Sequence, residues 1–337
     1  MTGEKQSIKE FIESLVRSTG AASPEEAIRL KAREHIVFYE QNFGEPEIPI
    51  DVMMLASLKG IRPSDSMPVL SPDAEIGPDG QGGVEMRVNP DRPETRKRFS
   101  IAHEISHTFF PDYEKKEWCR TDARYRDLSD PSQHLEMLCD IGASELLFPE
   151  RSFTAHAAEV SDADGFTQLA LTYQASREAT LRRYVELAST PVAVVFFSWK
   201  LKPTQKGIIG NENQGNLFGI SAEEELRTAM QLRVDYAIYS PEMKQLGLYF
   251  PPNKSVDRKN PVLQSSANWS CVDVPKAHFD FGQASGDYSV NAIPLPTDDS
   301  ARGPEGECSV AAILRPVRVD WSKAKRRTKW NQTESLF

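Results

Sequence analysis

Long apolar runs are missing from this chain: no stretch of 18 or more apolar residues occurs, which excludes a membrane-spanning helix. The first residues, MTGEKQSIKEFIESLV, carry Glu4, Glu10 and Glu13 and lack an apolar segment of the secretory type, so we expect no signal peptide. Cysteine is scarce. Cys119, Cys139, Cys271 and Cys308 are scattered with no CxxC pair, a usage that suits reduced thiols in the cytoplasm better than a disulfide framework. No internal repeat is visible. Positive charge is in deficit as well. The net charge of −9 argues against a protein that coats duplex DNA through its overall field, although a local basic patch remains open.

The 337 residues, 39% hydrophobic and 26% charged, suit about two folded domains. Ser23 before Pro24, Glu25 and Glu26, with Gly44 at the far end, predicts a helix over 23–42. A second helix is expected to end at Gly60. Residues 63–83 read as loop or hairpin turns, and Val84–Val88 alternates as a half-buried strand does. Pro93 can open a helix that Pro111 must stop, and Asp130-Pro131 can cap another that reaches Leu147. Residues 112–129 read as a loop. Gly165–Ala188 reads as two short helices with a helix-turn-helix look, and Arg177, Arg182 and Arg183 fall in its second half; a plain scaffold pair is the simpler reading. After Thr190-Pro191 the character changes. VAVVFFSW (192–199), 232–239 and 309–314 are strand signals, and 200–224 is polar and glycine-rich like a linker. The expected layout is therefore an α+β chain. A mainly helical domain with a small sheet spans 1–190, a smaller α/β or mostly β domain spans 191–320, and a basic tail spans 321–337.

The most informative pattern is His103-Glu104-Ile105-Ser106-His107. Histidines at i and i+4 share one helical face about a turn apart, so both imidazoles can reach one ion at about 2.0–2.1 Å. Glu104, offset by one residue, can reach a water at that ion and act as its base. A third protein ligand is needed for a catalytic zinc site. Glu136, on the next predicted helix, is the candidate; Asp140, four residues on, shares its face and can orient a ligand histidine. The plainer alternatives are a surface helix with two histidines and two ordinary polar residues. Candidate oxyanion donors are Tyr113, Tyr125 and His134. Cys139, beside Asp140 in an apolar helix, reads as a packed core residue.

These segments resemble the ImmA/IrrE family of bacterial metallopeptidases. The resemblance runs over roughly 45–185. It is carried by Ile48-Pro49-Ile50-Asp51, Arg87-Val88-Asn89, Arg98–His107 and Glu136–Pro149. The chain departs from the family pattern at Ser106, where Gly is usual, and at Ile141-Gly142, which replace Phe-Ala. The resemblance implies a thermolysin-like zinc peptidase core, with His103, His107 and Glu136 holding Zn²⁺ and Glu104 as base. It also implies a substrate, a helix-turn-helix transcriptional repressor cleaved under DNA damage or phage and mobile-element stress. The longer C-terminal half is then expected to be a GAF-like sensor. Some members in anti-phage operons, the CapP type, use a cysteine as an inhibitory ligand. Cys119, in the loop between the two ligand-bearing helices, is the candidate here, against the plainer reading of a cysteine without a role.

Two basic stretches suggest a trigger. Arg87, Arg92, Arg96, Lys97 and Arg98 cluster before the histidines. The tail from Trp321 to Trp330 interleaves tryptophan with five positive charges, a composition that suits single-stranded DNA; a solvated charged tail is the commoner explanation. Gln214–Phe218 faintly resembles a sliding-clamp peptide. The competing reading of the whole chain is a metal-stabilised, DNA-binding transcription regulator without proteolytic activity. A structural zinc site, however, is usually closed by four protein ligands and has no use for Glu104.

Overall fold

The computed structural model describes residues 2–64, 73–110, 113, 118–119, 129–205, 227–298 and 301–319. The chain is mixed α+β and divides into two compact units, one of residues 1–159 and 168–180, the other of residues 160–167 and 181–337.

The first unit opens with helix α1 (Thr2–Thr19), which buries Ile8, Ile12 and Leu15 along one face. Helix α2 (Pro24–Phe43) starts as its sequence requires: the Ser23 hydroxyl accepts from Glu26 N at 3.2 Å and Pro24 needs no partner at the first helical position. It stops at Gly44, whose φ of 87° a side chain would disfavour. Helix α3 (Val52–Leu58) is capped by the Asp51 carboxylate, which accepts from Met53 N and Met54 N. Strands β1 (Ile61–Ser64), β2 (Ala74–Pro78) and β3 (Val84–Val88) follow. Helix α4 (Glu94–His107), the two-residue strand β4 (Trp118–Cys119), helix α5 (Pro131–Leu147) and helix α6 (Glu150–Ala158) come next. The small sheet has the order β1-β3-β2-β4; β1 runs parallel to β3 and the other pairs are antiparallel.

Helix α5 is the axis of this unit and packs against α2 and α4. Ile28, Leu55, Ile105, Leu138, Leu146 and Phe148 are fully buried around it. Charge also ties α2 to α5. Glu145, buried on α5, is paired with Arg33 at 2.8 Å and Arg29 at 3.4 Å. Helix α7 (Ala163–Thr172) and helix α8 (Arg177–Leu187) each contribute residues to both units.

The second unit contains a five-stranded antiparallel sheet. Its strands are β5 (Ala193–Lys200), β6 (Gln231–Tyr239), β7 (Val272–Phe279), β8 (Gly286–Pro294) and β9 (Val310–Val319), in the order β6-β5-β9-β8-β7. Two short helices, α9 (Pro241–Gln245) and α10 (Pro261–Asn268), lie between strands. One face of the sheet buries Val195, Phe197, Phe250, Phe279, Tyr288 and Leu314 in an apolar cluster. Strands β5, β6 and β9 match the apolar runs of the sequence. Strands β7 and β8 were not expected: β7 carries Pro275 and is mostly exposed, as suits a sheet edge.

Candidate metal centre

Two helices build the centre. Helix α4 begins after Pro93 with Glu94 in its first turn. It is anchored by the buried Arg98, which donates to the Ile50 carbonyl at 2.8 Å. Its last turn carries His103, Glu104 and His107, all fully buried. Helix α5 begins at Pro131, where the Asp130 carboxylate accepts from Ser132 N at 3.0 Å. Glu136, Cys139 and Asp140 follow at i, i+3 and i+4, which places them on one face.

That face meets the histidines. His103 Nε2 lies 3.3 Å from Glu136 Oε2, and His107 Nε2 lies 3.7 Å from Glu136 Oε1. The two imidazole centroids are 5.0 Å apart. Ligands at 2.0–2.1 Å from a tetrahedral ion stand about 3.3 Å from one another. Two imidazole nitrogens and a carboxylate at this spacing therefore suit a divalent ion of the zinc class. Glu104 Oε2 lies 4.0 Å from His107 Nε2, close to the same point yet outside direct pairing.

The far nitrogens of both rings are held as well. His103 Nδ1 is 2.8 Å from Asp140 Oδ1, and His107 Nδ1 is 3.3 Å from Cys139 Sγ. His103, His107 and Cys139 also form a cluster whose candidate ligand atoms lie within 4.8 Å of one another. Burial opposes protonation of His103, but hydrogen bonds to Asp140 and Glu136 outweigh it and raise the ring to about 9.

Of the residues expected from sequence, His103, Glu104, His107, Glu136 and Asp140 thus come together. Cys139 was expected to be packing alone; it does pack, but its sulfur also contacts a candidate ligand. The signal was present, since Cys139 follows Glu136 by three residues and precedes Asp140. Cys119 pairs through its backbone with Glu75 on β2, while its side chain falls outside the described atoms. Tyr125, Gln214–Phe218 and the 321–330 tail also lie outside the described residues. His134 faces Glu25, with Nε2 3.7 Å from Oε1. That contact holds the Glu25 carboxyl down at about 2.

The basic residues before the histidines are engaged internally. Arg92 and Arg96 both bind the buried Asp73, at 2.7 and 2.6 Å. Arg87 pairs with Glu75 and Glu85, and Lys97 with Glu94. In α8, Arg183 is fully buried and donates to Glu186, and Arg182 lies over the rings of Phe196 and Tyr236.

Comparison with known proteins finds one family similarity over this centre. Residues 76–184 match the family model described as Peptidase_M78, the IrrE N-terminal-like domain, over about a third of the chain. This is a metallopeptidase-type domain, and the match spans His103, Glu104, His107, Glu136, Cys139 and Asp140. No curated protein matches the chain. Among solved structures the chain is similar to a Mycobacterium tuberculosis transcriptional regulator, at 10% identity and a TM-score of 0.45, over 91% of this chain and 81% of that one.

Proposed function

We propose that the protein is a zinc-dependent endopeptidase whose metal is held by His103, His107 and Glu136. The observation that carries this reading is the convergence of both Nε2 atoms on the Glu136 carboxylate, 3.3 and 3.7 Å away, with Glu104 beside them. His103, His107 and Glu136 would hold Zn²⁺, which when bound would supply Lewis-acid chemistry for peptide hydrolysis. Glu104 takes the proton of the attacking water and later returns it to the leaving amine; a positioned base of this kind contributes on the order of 10²–10⁴ in rate. Asp140 holds His103 in the tautomer that presents Nε2. The arrangement resembles a thermolysin-like core.

The substrate we propose is a helix-turn-helix transcriptional repressor, cleaved in the cytoplasm under DNA damage or phage stress. This rests on the resemblance to ImmA/IrrE peptidases. No helix among the described residues is long and apolar enough to cross a membrane. The second unit is proposed as a GAF-like sensor; its five-stranded antiparallel sheet flanked by short helices supports that reading. Single-stranded DNA as the trigger now depends on the 321–337 tail, because the basic residues before the histidines are taken up by internal ion pairs. A CapP-type latch through Cys119 stays part of the proposal. The alternative of a non-proteolytic DNA reader is disfavoured by Arg182 and Arg183, which are turned to internal contacts.

The test is incubation with Zn²⁺ and the product of the neighbouring gene, with and without short single-stranded DNA. The Glu104→Gln protein is expected to keep its zinc and lose cleavage by at least about a hundredfold. Cleavage by that variant at the parental rate, or full zinc occupancy in Glu136→Ala, would refute the assignment.

A further inference from the structure

The centre holds its two imidazoles by unlike groups. One is a carboxylate, Asp140, on His103 Nδ1 at 2.8 Å; the other is the thiol of Cys139 on His107 Nδ1 at 3.3 Å. These holding residues are neighbours in α5, so one helix fixes both rings. Cys139 and His107 are fully buried, which removes water as a competing partner for Nδ1. The contact is also rigidly placed. One turn beyond Cys139, Gly142 lies so close to α4 that a Cβ there would come within 2.6 Å of the Ser106 hydroxyl. Neither helix has room to slide toward the other.

We propose that Cys139 is a positioning residue for His107: its sulfur accepts the Nδ1–H hydrogen bond and so presents Nε2 to the metal, without itself ligating the ion. This deepens the metal-site reading above and rests on it. The chemistry is specific. An imidazole that coordinates through Nε2 must carry its proton on Nδ1, and a buried N–H without an acceptor costs on the order of 1–3 kcal/mol. Sulfur is a weaker acceptor than a carboxylate. The two rings therefore differ in basicity, with His103 the stronger donor and His107 the weaker. Ligation by Cys139 is disfavoured by the same geometry, because its sulfur faces the nitrogen that points away from Glu136.

The test measures zinc affinity by competition with a chelator, independently of any cleavage, in Cys139→Ala, Cys139→Val and Cys139→Ser. Losing the acceptor is expected to weaken zinc about tenfold in the Ala and Val proteins. The Ser protein, which restores an acceptor, should bind tighter than either. A packing role ranks them the other way, since Val fills the space better than Ser. Val at or above Ser, or parental affinity in Ala and Val, overturns the proposal. In a cobalt-substituted parent any thiolate-to-cobalt charge-transfer band should come from the Cys119 latch and persist in Cys139→Ala; a band that vanishes in Cys139→Ala would make the Cys139 sulfur a ligand and also overturn it. Glu136→Ala distinguishes the two levels. If that variant keeps parental zinc affinity, the metal-site reading itself fails. If it loses zinc while Cys139→Ala and Cys139→Val do not, only the role of Cys139 falls.

Discussion

Single side chains in the first unit are set by what burial permits. His35 of α2 is buried, with Nε2 donating to the Leu55 carbonyl at 2.9 Å and its ring edge-on to Phe109. Burial, with the nearby Lys59 charge adding to it, lowers its pKa from 6.5 to about 4. Above pH 6.5 the ring is neutral in both folded and unfolded chains, so it imposes no penalty. As pH falls from 6.5 toward 4 the unfolded chain takes up a proton that the folded chain refuses, and stability drops. The full effect is on the order of 3 kcal/mol. Denaturation between pH 8 and pH 4 should show the parent losing stability relative to His35→Gln, which keeps a donor but does not titrate there. Parallel curves would contradict this. His35, His103 and His134 answer to three different neighbours, Leu55, Asp140 and Glu25. Only the i, i+4 pair suggested a candidate site beforehand, because helical geometry alone puts those two rings together.

Helix packing brings together two positions at which the sequence departs from the ImmA/IrrE pattern it resembles. Ser106 stands where that family usually has Gly, and Gly142 where it has Ala. The two positions face each other across α4 and α5, with the missing Cβ of Gly142 2.6 Å from Ser106 Oγ and 3.2 Å from Ile28 Cγ1. Volume added on one helix is removed from the other. Gly142→Ala should therefore destabilise the protein by about 1–3 kcal/mol from overpacking, although Ala is the better helix former by about 1 kcal/mol. Adding Ser106→Gly should recover at least about 0.5 kcal/mol of that loss as a coupling term. A chemical-denaturation double-mutant cycle reads this directly, and strict additivity would argue against a shared constraint. Each departure was visible in the sequence, but their compensation was not, because it depends on the rotation of one helix about its axis relative to the other.

Across the molecule, every candidate ligand comes from residues 103–136, all within the first unit. Metal should thus stabilise that unit selectively. Zinc at a hundred times its dissociation constant should add about 2.7 kcal/mol. In calorimetry it should raise the transition that a chelator lowers, while a second transition from the other unit stays within about a degree. A shift of both transitions by the same amount would contradict this assignment of the metal to one unit.

Local sequence pattern marked which helices carry the candidate ligands. Ser23-Pro24, Asp51 and Asp130-Pro131 mark helix starts through local hydrogen bonds, and HExxH spacing follows from 3.6 residues per turn; neither needs distant parts of the chain. The apolar runs of β5, β6 and β9 were legible for the same reason. Helix α1 was missed although Ile8, Ile12 and Leu15 keep a helical spacing, and β7 was masked by Pro275 and its polar, edge-strand composition. Tertiary structure alone decided that Cys139 meets His107, that Arg92 and Arg96 close on Asp73, and that Arg183 is buried. These are contacts between elements remote in sequence or outcomes of packing around them. They are fixed by inter-helix rotation, burial and charge pairing, quantities that no local spacing of residues encodes.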